Sequence, residues 1–204
     1  MQLLFCRHGQ SVGNLTEDYS TPDHDQLSSL GWEQAERLAE RLAEYTFDAL
    51  YASPARRARQ TITPYLIRTA RRAEVWPELV EGCWQDDRAA APPARPDPPR
   101  PFALDEALRA RFVPCSDLSY WAPEGEAYCE CLARIELVAE RLLARHQGKP
   151  DRVLVVGHEY AGGRLIEMLL GIEPLGRLYH TNTGLTRLVE GADGTFTARF
   201  LNRL

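Results

Sequence analysis

The sequence contains almost no lysine. Lys149 is the single lysine among the 24 basic residues, so that the remaining cations are all arginines. The formal net charge of −5 argues against a nucleic-acid binder and against a module that binds membranes through a basic surface. The arginine excess has two explanations, a GC-rich genome or arginines that hold an anion by paired contacts which lysine cannot reproduce. Composition alone leaves both open.

Long apolar runs are also missing, and cysteines are few. No stretch approaches the length of a membrane span, and the apolar residues 1–6 are too short for a signal-peptide core. The number of cysteines is odd, and the Cys129-Glu130-Cys131 spacing is not that of a zinc finger. We therefore expect reduced structural thiols and a cytoplasmic protein that binds no membrane. The cysteines are Cys6, Cys83, Cys115, Cys129 and Cys131.

The hydrophobic patterns alternate between strand and helix. Buried strands are predicted at 3–6, 47–51 and 153–156, and helices at 28–45, 124–146 and from 158 to 170. Another helix is expected to start with Ser53 as N-cap and Pro54 in its first position. Residues 185–189 and 195–201 read as a β-hairpin. This alternation indicates an α/β fold, a three-layer α/β/α sandwich with a mainly parallel central sheet.

One segment breaks the pattern. Residues 86–101 hold six prolines and almost nothing to bury, so they are interpreted as an extended loop inserted in a single domain of residues 1–204. This loop and residues 115–123, which include Tyr120 and Trp121, are candidates for the surface that faces a substrate. The alternative, an insertion and ordinary surface aromatics, carries equal weight.

Two of the predicted strands end in the same way. The first strand is followed by Arg7, His8 and Gly9, and the strand at 153–156 is followed by Gly157 and His158. Ligands of α/β sheets bind beyond the carboxyl ends of the strands. If these strands are neighbours, the two histidines meet at one crevice.

The residue types at these strand ends suit phosphoryl transfer. An imidazole can act as a covalent nucleophile, so that attack by His8 on phosphorus would give a phosphohistidine. Arginine forks hold two oxygens at fixed geometry, and Arg7 and Arg57 are the candidates for that task. They would create a local positive pocket within an acidic protein. A solvated surface arginine is the alternative for Arg57, and exposed helix positions are expected for Arg37, Arg41, Arg141 and Arg145.

Several segments together resemble the histidine phosphatase superfamily, which includes the cofactor-dependent phosphoglycerate mutases. The first segment is LLFCRHGQSVGN at 3–14. The others follow in the family's order and cover nearly the whole chain apart from the proline-rich loop. They are Leu-Ser-x-x-Gly at 27–31, DALYASPARRARQT at 48–61, PEGEAY at 123–128, VLVVGH at 153–158 and Asn-Thr-Gly-Leu-Thr at 182–186.

The resemblance assigns a role to each matching residue. His8 would be the phosphorylated nucleophile, Arg7 and Arg57 would clamp the phosphate, His158 would donate to the same oxygens, and Asn14 would lie at the pocket edge. The family also uses a carboxylic acid that protonates the leaving group and later activates water. Glu81 fits the family's Leu-x-Glu context, whereas a second register favours Glu78. We prefer Glu81.

The sequence departs from the family pattern beside the second histidine. Family members often have glycine there, whereas Glu159 and Tyr160 follow His158. A carboxylate at this place could shift the protonation of the imidazole, narrow the pocket or face the solvent. Gly-Glu-Ala at 125–127 replaces the more common Gly-Glu-Ser.

The resemblance implies a metal-independent phosphomonoesterase without a cofactor. Its expected substrate is a small phosphorylated metabolite, with no nucleic-acid or membrane partner and with a homodimer left open. The alternatives are a phosphomutase of the phosphoglycerate type and a catalytically weak module that binds phosphorylated ligands. A metal hydrolase built on Asp23, His24 and Asp25 is a further hypothesis, although a turn and capping role suits that cluster better.

Overall fold

The computed structural model describes residues 1–83, 109–115 and 126–204. Its strands are β1 Gln2–Arg7, β2 Ala49–Ala52, β3 Ala73–Val75, β4 Phe112–Pro114, β5 Arg152–Gly157, β6 Leu185–Glu190 and β7 Phe196–Arg203. Its helices are α1 Val12–Thr16, α2 Ser29–Leu42, α3 Arg56–Thr69, α4 Tyr128–His146 and α5 Glu159–Leu169, with a 3-10 helix at Pro77–Leu79.

The seven strands of the described residues form one sheet in the order β4-β3-β2-β5-β1-β6-β7. The pairs from β4 to β1 are parallel, while β6 runs antiparallel to β1 and pairs with β7 as a hairpin. The predicted mainly parallel sheet and the carboxy-terminal hairpin are thus confirmed. Since β1 and β5 are direct neighbours, the strand ends that carry the two histidines lie side by side.

Each face of the sheet is covered by two helices. Leu3 and Phe5 of β1 pack into a core with α4 and α5, whereas Leu4 and Cys6 point to the opposite face and pack with α2 and α3. This alternation explains why β1 is a continuous apolar run, since both faces of a central parallel strand are buried. The three-layer α/β/α sandwich is therefore confirmed.

One helix start was predicted wrongly. Helix α3 begins at Arg56 with Ala55 as N-cap, three residues after Ser53. The hydroxyl of Ser53 instead bonds the His158 ring and accepts from the Ala55 N–H. The carboxylate of Asp25 accepts from the Arg56 N–H and so takes the capping task that the sequence assigned to Ser53. By contrast α2 starts close to the predicted position, with Ser28 as its N-cap.

The prediction of reduced thiols was wrong for two cysteines. Cys83 and Cys131 form a disulfide, with their Cα atoms 5.6 Å apart across a sequence separation of 48 residues. The sequence did not reveal this pair, because Cys131 on α4 meets Cys83, which follows the 3-10 helix, only in the folded chain. The bridge removes the argument that cysteine usage made for a reducing compartment.

The prediction that four arginines lie on exposed helix positions was also partly wrong. Arg141 and Arg145 on α4 are largely covered, because they lie over the Trp76 ring and pair with Glu78 and Glu74. Arg41 donates to the carbonyl groups of Thr183 and Arg203. Several arginines thus hold elements together rather than cover a solvated surface.

Two sequence predictions lie outside the described residues. They are the proline-rich loop at 86–101 and nearly all of the candidate cap at 115–123, of which Cys115 is described and buried. Within the described ranges, none of the helices combines the length and the apolar character that crossing a membrane requires.

Candidate active site

The candidate site lies where β1, β5 and β2 end. Arg7 pairs with Gly157 in the register of β1 and β5, so His8 and His158 leave the sheet side by side. Their ring centroids are 5.1 Å apart, and both side chains are buried. The pairing of β1 with β5 therefore produces the juxtaposition that the sequence predicted for neighbouring strands.

The His8 ring is held in one tautomer. Its Nδ1 atom lies 2.7 Å from the carbonyl oxygen of Gly9. A carbonyl can only accept, so Nδ1 carries the proton and Nε2 keeps its lone pair. Burial and the neighbouring Arg57 guanidinium hold the pKa of His8 well below its usual value, and Arg7 acts in the same direction. The ring is therefore neutral, and Nε2 is the nitrogen with the available lone pair.

Gly9 is required by the space around this carbonyl. A Cβ atom at Gly9 would lie 2.9 Å from the Gly31 carbonyl oxygen at the start of α2. The Gly9 N–H donates to the Thr61 hydroxyl on α3, which fixes the backbone between His8 and Gly9. A side chain at this position would push β1 and α2 apart and turn the ring away.

His158 is also neutral, with its proton on the opposite ring atom. Nδ1 accepts from Nη2 of Arg57 at 3.1 Å, and Nε2 donates to the Ser53 hydroxyl at 2.7 Å. Burial first, and then the positive charge of Arg57, hold the pKa of His158 well below its usual value. In this state Nδ1 accepts rather than donates, so His158 needs one more proton before it can donate from that atom to a phosphate.

Arg57 joins the two histidines. Its Nε donates to Nε2 of His8 at 3.1 Å, its Nη2 donates to His158, and its Nη1 forms a short hydrogen bond with the Asp25 carboxylate. The first turn of α3 therefore points this side chain into the site, and the surface-arginine alternative for Arg57 is not what the structure shows. Asp25 was assigned to a turn by sequence reasoning, which did not foresee this ion pair.

Arg7 is buried beside the rings. Its Nη1 donates to the His180 carbonyl at 2.5 Å and pairs with the Glu159 carboxylate at 2.6 Å. Its Nε is buried without a hydrogen-bond partner among the described residues. A buried N–H that lacks a partner is costly, so an anion that accepts from it would be stabilised there.

The two candidate acids lie in different places. Glu81 lies against the first turn of α5, where its carboxylate accepts from the backbone N–H groups of Glu159 at 3.1 Å and Ala161 at 3.0 Å. Because His158 is the N-cap of that helix, Glu81 is adjacent to the site. Glu78 instead pairs with Arg141 of α4 at 3.3 Å. The structure brings Glu81 to the site and not Glu78.

The segment that carries Glu81 is anchored to α4. Arg134 is fully buried and donates to the Glu78 and Val80 carbonyl groups at 2.6 and 3.0 Å. Its other nitrogens bind the Glu126 carboxylate, and the Cys83–Cys131 bridge ties down the residues after Glu81. Sequence reasoning missed Arg134, although an arginine in the apolar stripe of a helix was the signal that could have found it.

Asn14 is connected to His8 through Asn182. Its side-chain oxygen accepts from the N–H of Ser11, which is the N-cap residue of α1, and from the Asn182 side chain at 3.4 Å. Asn182 also donates to the His8 carbonyl at 3.0 Å. These bonds connect α1 with the backbone of His8.

The metal hypothesis receives no support from the placement of its residues. Asp25 is engaged by Arg57, and Nδ1 of His24 donates to the Thr21 carbonyl at 2.6 Å. No group of three potential ligands lies together in the part of the chain that is described.

Comparison with known proteins places this geometry in a family. The model of the histidine phosphatase superfamily (branch 1) matches residues 3–203. The chain belongs to this superfamily. The family resemblance stated from the sequence is thereby confirmed.

Relatives of this chain include longer proteins. The Bifunctional protein Rv2228c of Mycobacterium tuberculosis is 28% identical over 99% of this chain. The match covers 54% of that protein, so the chain spans about half the length of the curated relatives it matches.

Solved structures share the fold over their whole length. An alpha-ribazole phosphatase from Shigella flexneri is 24% identical with a TM-score of 0.70, covering 99% of this chain and 96% of that one. A mycobacterial glucosyl-3-phosphoglycerate phosphatase, solved with vanadate (VO3), is 24% identical with a TM-score of 0.68, covering 100% and 99% of the two chains. These structures are named as phosphatases, and their likeness to this chain shows a shared fold.

Proposed function

We propose that the protein is a metal-independent phosphomonoesterase that works through a phosphohistidine on His8. The observation that carries this proposal is the tautomer of His8, because its buried Nε2 lone pair faces the guanidinium of Arg57. A phosphate held by Arg57 and by the unpartnered Nε of Arg7 would place its phosphorus next to that lone pair.

In the first step the Nε2 lone pair of His8 attacks phosphorus, and the bond from phosphorus to the ester oxygen breaks. The oxygen leaves with the bonding electrons and takes a proton from the Glu81 carboxyl group. Arg7 and Arg57 balance the charge on the three remaining oxygens. A phosphate dianion beside His158 favours proton uptake by that ring, and its Nδ1–H then donates to the same oxygens.

In the second step a water molecule attacks the phosphohistidine. Glu81, now a carboxylate, accepts a proton from the water, and the phosphorus–nitrogen bond breaks. Inorganic phosphate forms, and His8 recovers its neutral ring. Asn14 and Asn182 keep the pocket edge in place through the His8 carbonyl. The proposed reaction needs no cofactor, and its substrate is a small phosphorylated metabolite.

The phosphomutase of the phosphoglycerate type uses the same phosphohistidine but returns the phosphoryl group to a bound intermediate. The two reactions differ in their products, inorganic phosphate in one and a rearranged phosphate ester in the other. A catalytically weak binding module would produce neither.

The test is a panel of phosphate esters assayed in the presence of a strong chelator. We expect inorganic phosphate as the product by ³¹P NMR, and a loss of at least about 10³-fold in kcat/KM for His8→Ala. An acid-labile label from a ³²P substrate should attach to the wild type and not to His8→Ala. His24→Ala is the control, because its ring lies in the polar loop and donates to the Thr21 carbonyl. Equal turnover by His8→Ala, or activity that the chelator abolishes, would overturn the proposal.

A further inference from the structure

The site holds more negative charge than a simple phosphate cradle needs. Each of its two arginines is already paired with a carboxylate, Arg7 with Glu159 and Arg57 with Asp25. Glu81 adds a third carboxyl group, which carries a proton when the proposed reaction begins, while both histidines are neutral. Among the described residues the local positive pocket expected from the sequence is therefore missing, because each of the two guanidinium groups already faces a carboxylate.

Glu159 differs from the other two carboxylates in its position. Asp25 also holds the Arg56 N–H at the start of α3, and Glu81 is bound by backbone N–H groups of α5. Glu159 is the first residue of α5, directly after His158, and its carboxylate reaches Arg7 with 16% of the side chain exposed. The Glu159 side chain is therefore in partial contact with the solvent.

The path of the leaving group passes the first residue of α5. In the proposed reaction the ester oxygen must reach Glu81, and a Glu81 carboxylate oxygen lies 3.1 Å from the Glu159 backbone nitrogen. The alcohol part of the substrate therefore extends over the first turn of α5. Tyr160, which is 43% exposed, follows in that turn. Its partial burial, together with the charges of Glu159 and Glu81, raises the pKa of its hydroxyl group.

We propose that Glu159 is a specificity residue that selects phosphate monoesters whose alcohol part carries a positive charge, such as an amine. This inference rests on the proposed phosphatase function. When the phosphate binds Arg7 in place of Glu159, a cationic group next to Glu159 restores the charge balance. The Tyr160 ring offers a face for the same cation. An anionic group at this place is repelled by the Glu159 carboxylate.

The test uses three alkyl phosphates of similar length and different charge. They are 3-aminopropyl phosphate, butyl phosphate and 2-carboxyethyl phosphate, assayed with the full chain at low ionic strength. We expect kcat/KM to fall from the amine to the carboxylate by at least about tenfold. In Glu159→Gln the three values should agree within about threefold, because the charge is gone while the side chain keeps its shape.

Glu44→Gln is the matched control, since it removes one exposed carboxylate at the opposite end of the sheet. It should keep the wild-type preference for the amine. The inference is overturned if the wild type shows no preference for the amine, or if Glu159→Gln keeps that preference. The proposed function fails separately, when the wild type hydrolyses neither these esters nor p-nitrophenyl phosphate.

Discussion

The Nε atom of Arg57 donates to the Nε2 atom of His8 across 3.1 Å, so the nucleophilic lone pair is covered by a cation in the free protein. Phosphate oxygens that accept from Arg57 would take this N–H away from the ring. Binding of the substrate would then free the atom that attacks it. The same guanidinium reaches His158 and Asp25, and the positions of both rings therefore depend on one side chain.

Replacement of Arg57 tests this dependence. Arg57→Lys keeps the charge, but a single ammonium group cannot contact both rings and Asp25 in a fixed plane. We expect kcat/KM for p-nitrophenyl phosphate to fall by about 100-fold and vanadate inhibition to weaken. Arg37→Lys, on an exposed position of α2, should leave both unchanged. A loss of less than threefold would show that charge alone suffices.

The choice between Glu81 and Glu78 is tested by varying the leaving group. For Glu81→Gln we expect a loss of about 10²–10³-fold with alkyl phosphates, and a far smaller one with p-nitrophenyl phosphate, whose leaving group needs no proton. Glu78→Gln should keep the activity and lower the free energy of unfolding by about 1 kcal/mol through the lost Arg141 contact. The reverse pattern would assign the acid to Glu78.

The Cys83–Cys131 bridge predicts a redox-dependent stability. Closing a loop of this length in the unfolded chain corresponds to about 4 kcal/mol in the chain-entropy model. We expect urea unfolding of the oxidised protein at a clearly higher midpoint than that of the reduced protein or of Cys83→Ala/Cys131→Ala. Cys129→Ala, a neighbour of the bridge on α4, serves as the control. Coincident oxidised and reduced curves would show that the bridge does not form.

Buried neutral histidines predict a loss of stability in acid. Burial, with a contribution from Arg7, lowers the pKa of His180 from 6.5 to about 4. As the pH falls below 6.5 the unfolded chain takes up a proton that the folded protein refuses, so stability decreases until about pH 4. By pH 5 this should cost about 2 kcal/mol.

The measurement is urea unfolding of the wild type and His180→Asn at pH 7.5 and pH 5.0. The variant also loses the bond to the Thr186 hydroxyl, but that loss is the same at both pH values. The difference between the two pH values should therefore be smaller in the variant by about 2 kcal/mol. An equal pH dependence would show that His180 is not the titrating group.

Much of the fold followed from local patterns. The apolar runs of β1 and β5 and the stripe of α4 were predicted because each element buries a face that its own sequence displays. The start of α3 was not, because Ser53 bonds a histidine that is more than a hundred residues away in the chain. Local capping signals compete with tertiary bonds, and here the tertiary bond determined the result.

The sequence predicted which residues come together at the candidate site, but it did not predict the carboxylates that pair with the two arginines. Strand ends and the family motifs pointed to the histidines and arginines, since residues at these places meet wherever the strands are neighbours. The partners Asp25 and Glu159 come from other parts of the chain, and only the folded structure shows that they neutralise Arg57 and Arg7. The disulfide was missed for the same reason.

The Gly9 carbonyl has a consequence for the product of the first step. Because it binds the proton on Nδ1, the proposed phosphorylation would be directed to Nε2 and would give the tele isomer of phosphohistidine. Formation and hydrolysis of that isomer are both in-line displacements. A substrate made chiral at phosphorus with oxygen isotopes would therefore pass its phosphoryl group to an acceptor alcohol with overall retention of configuration.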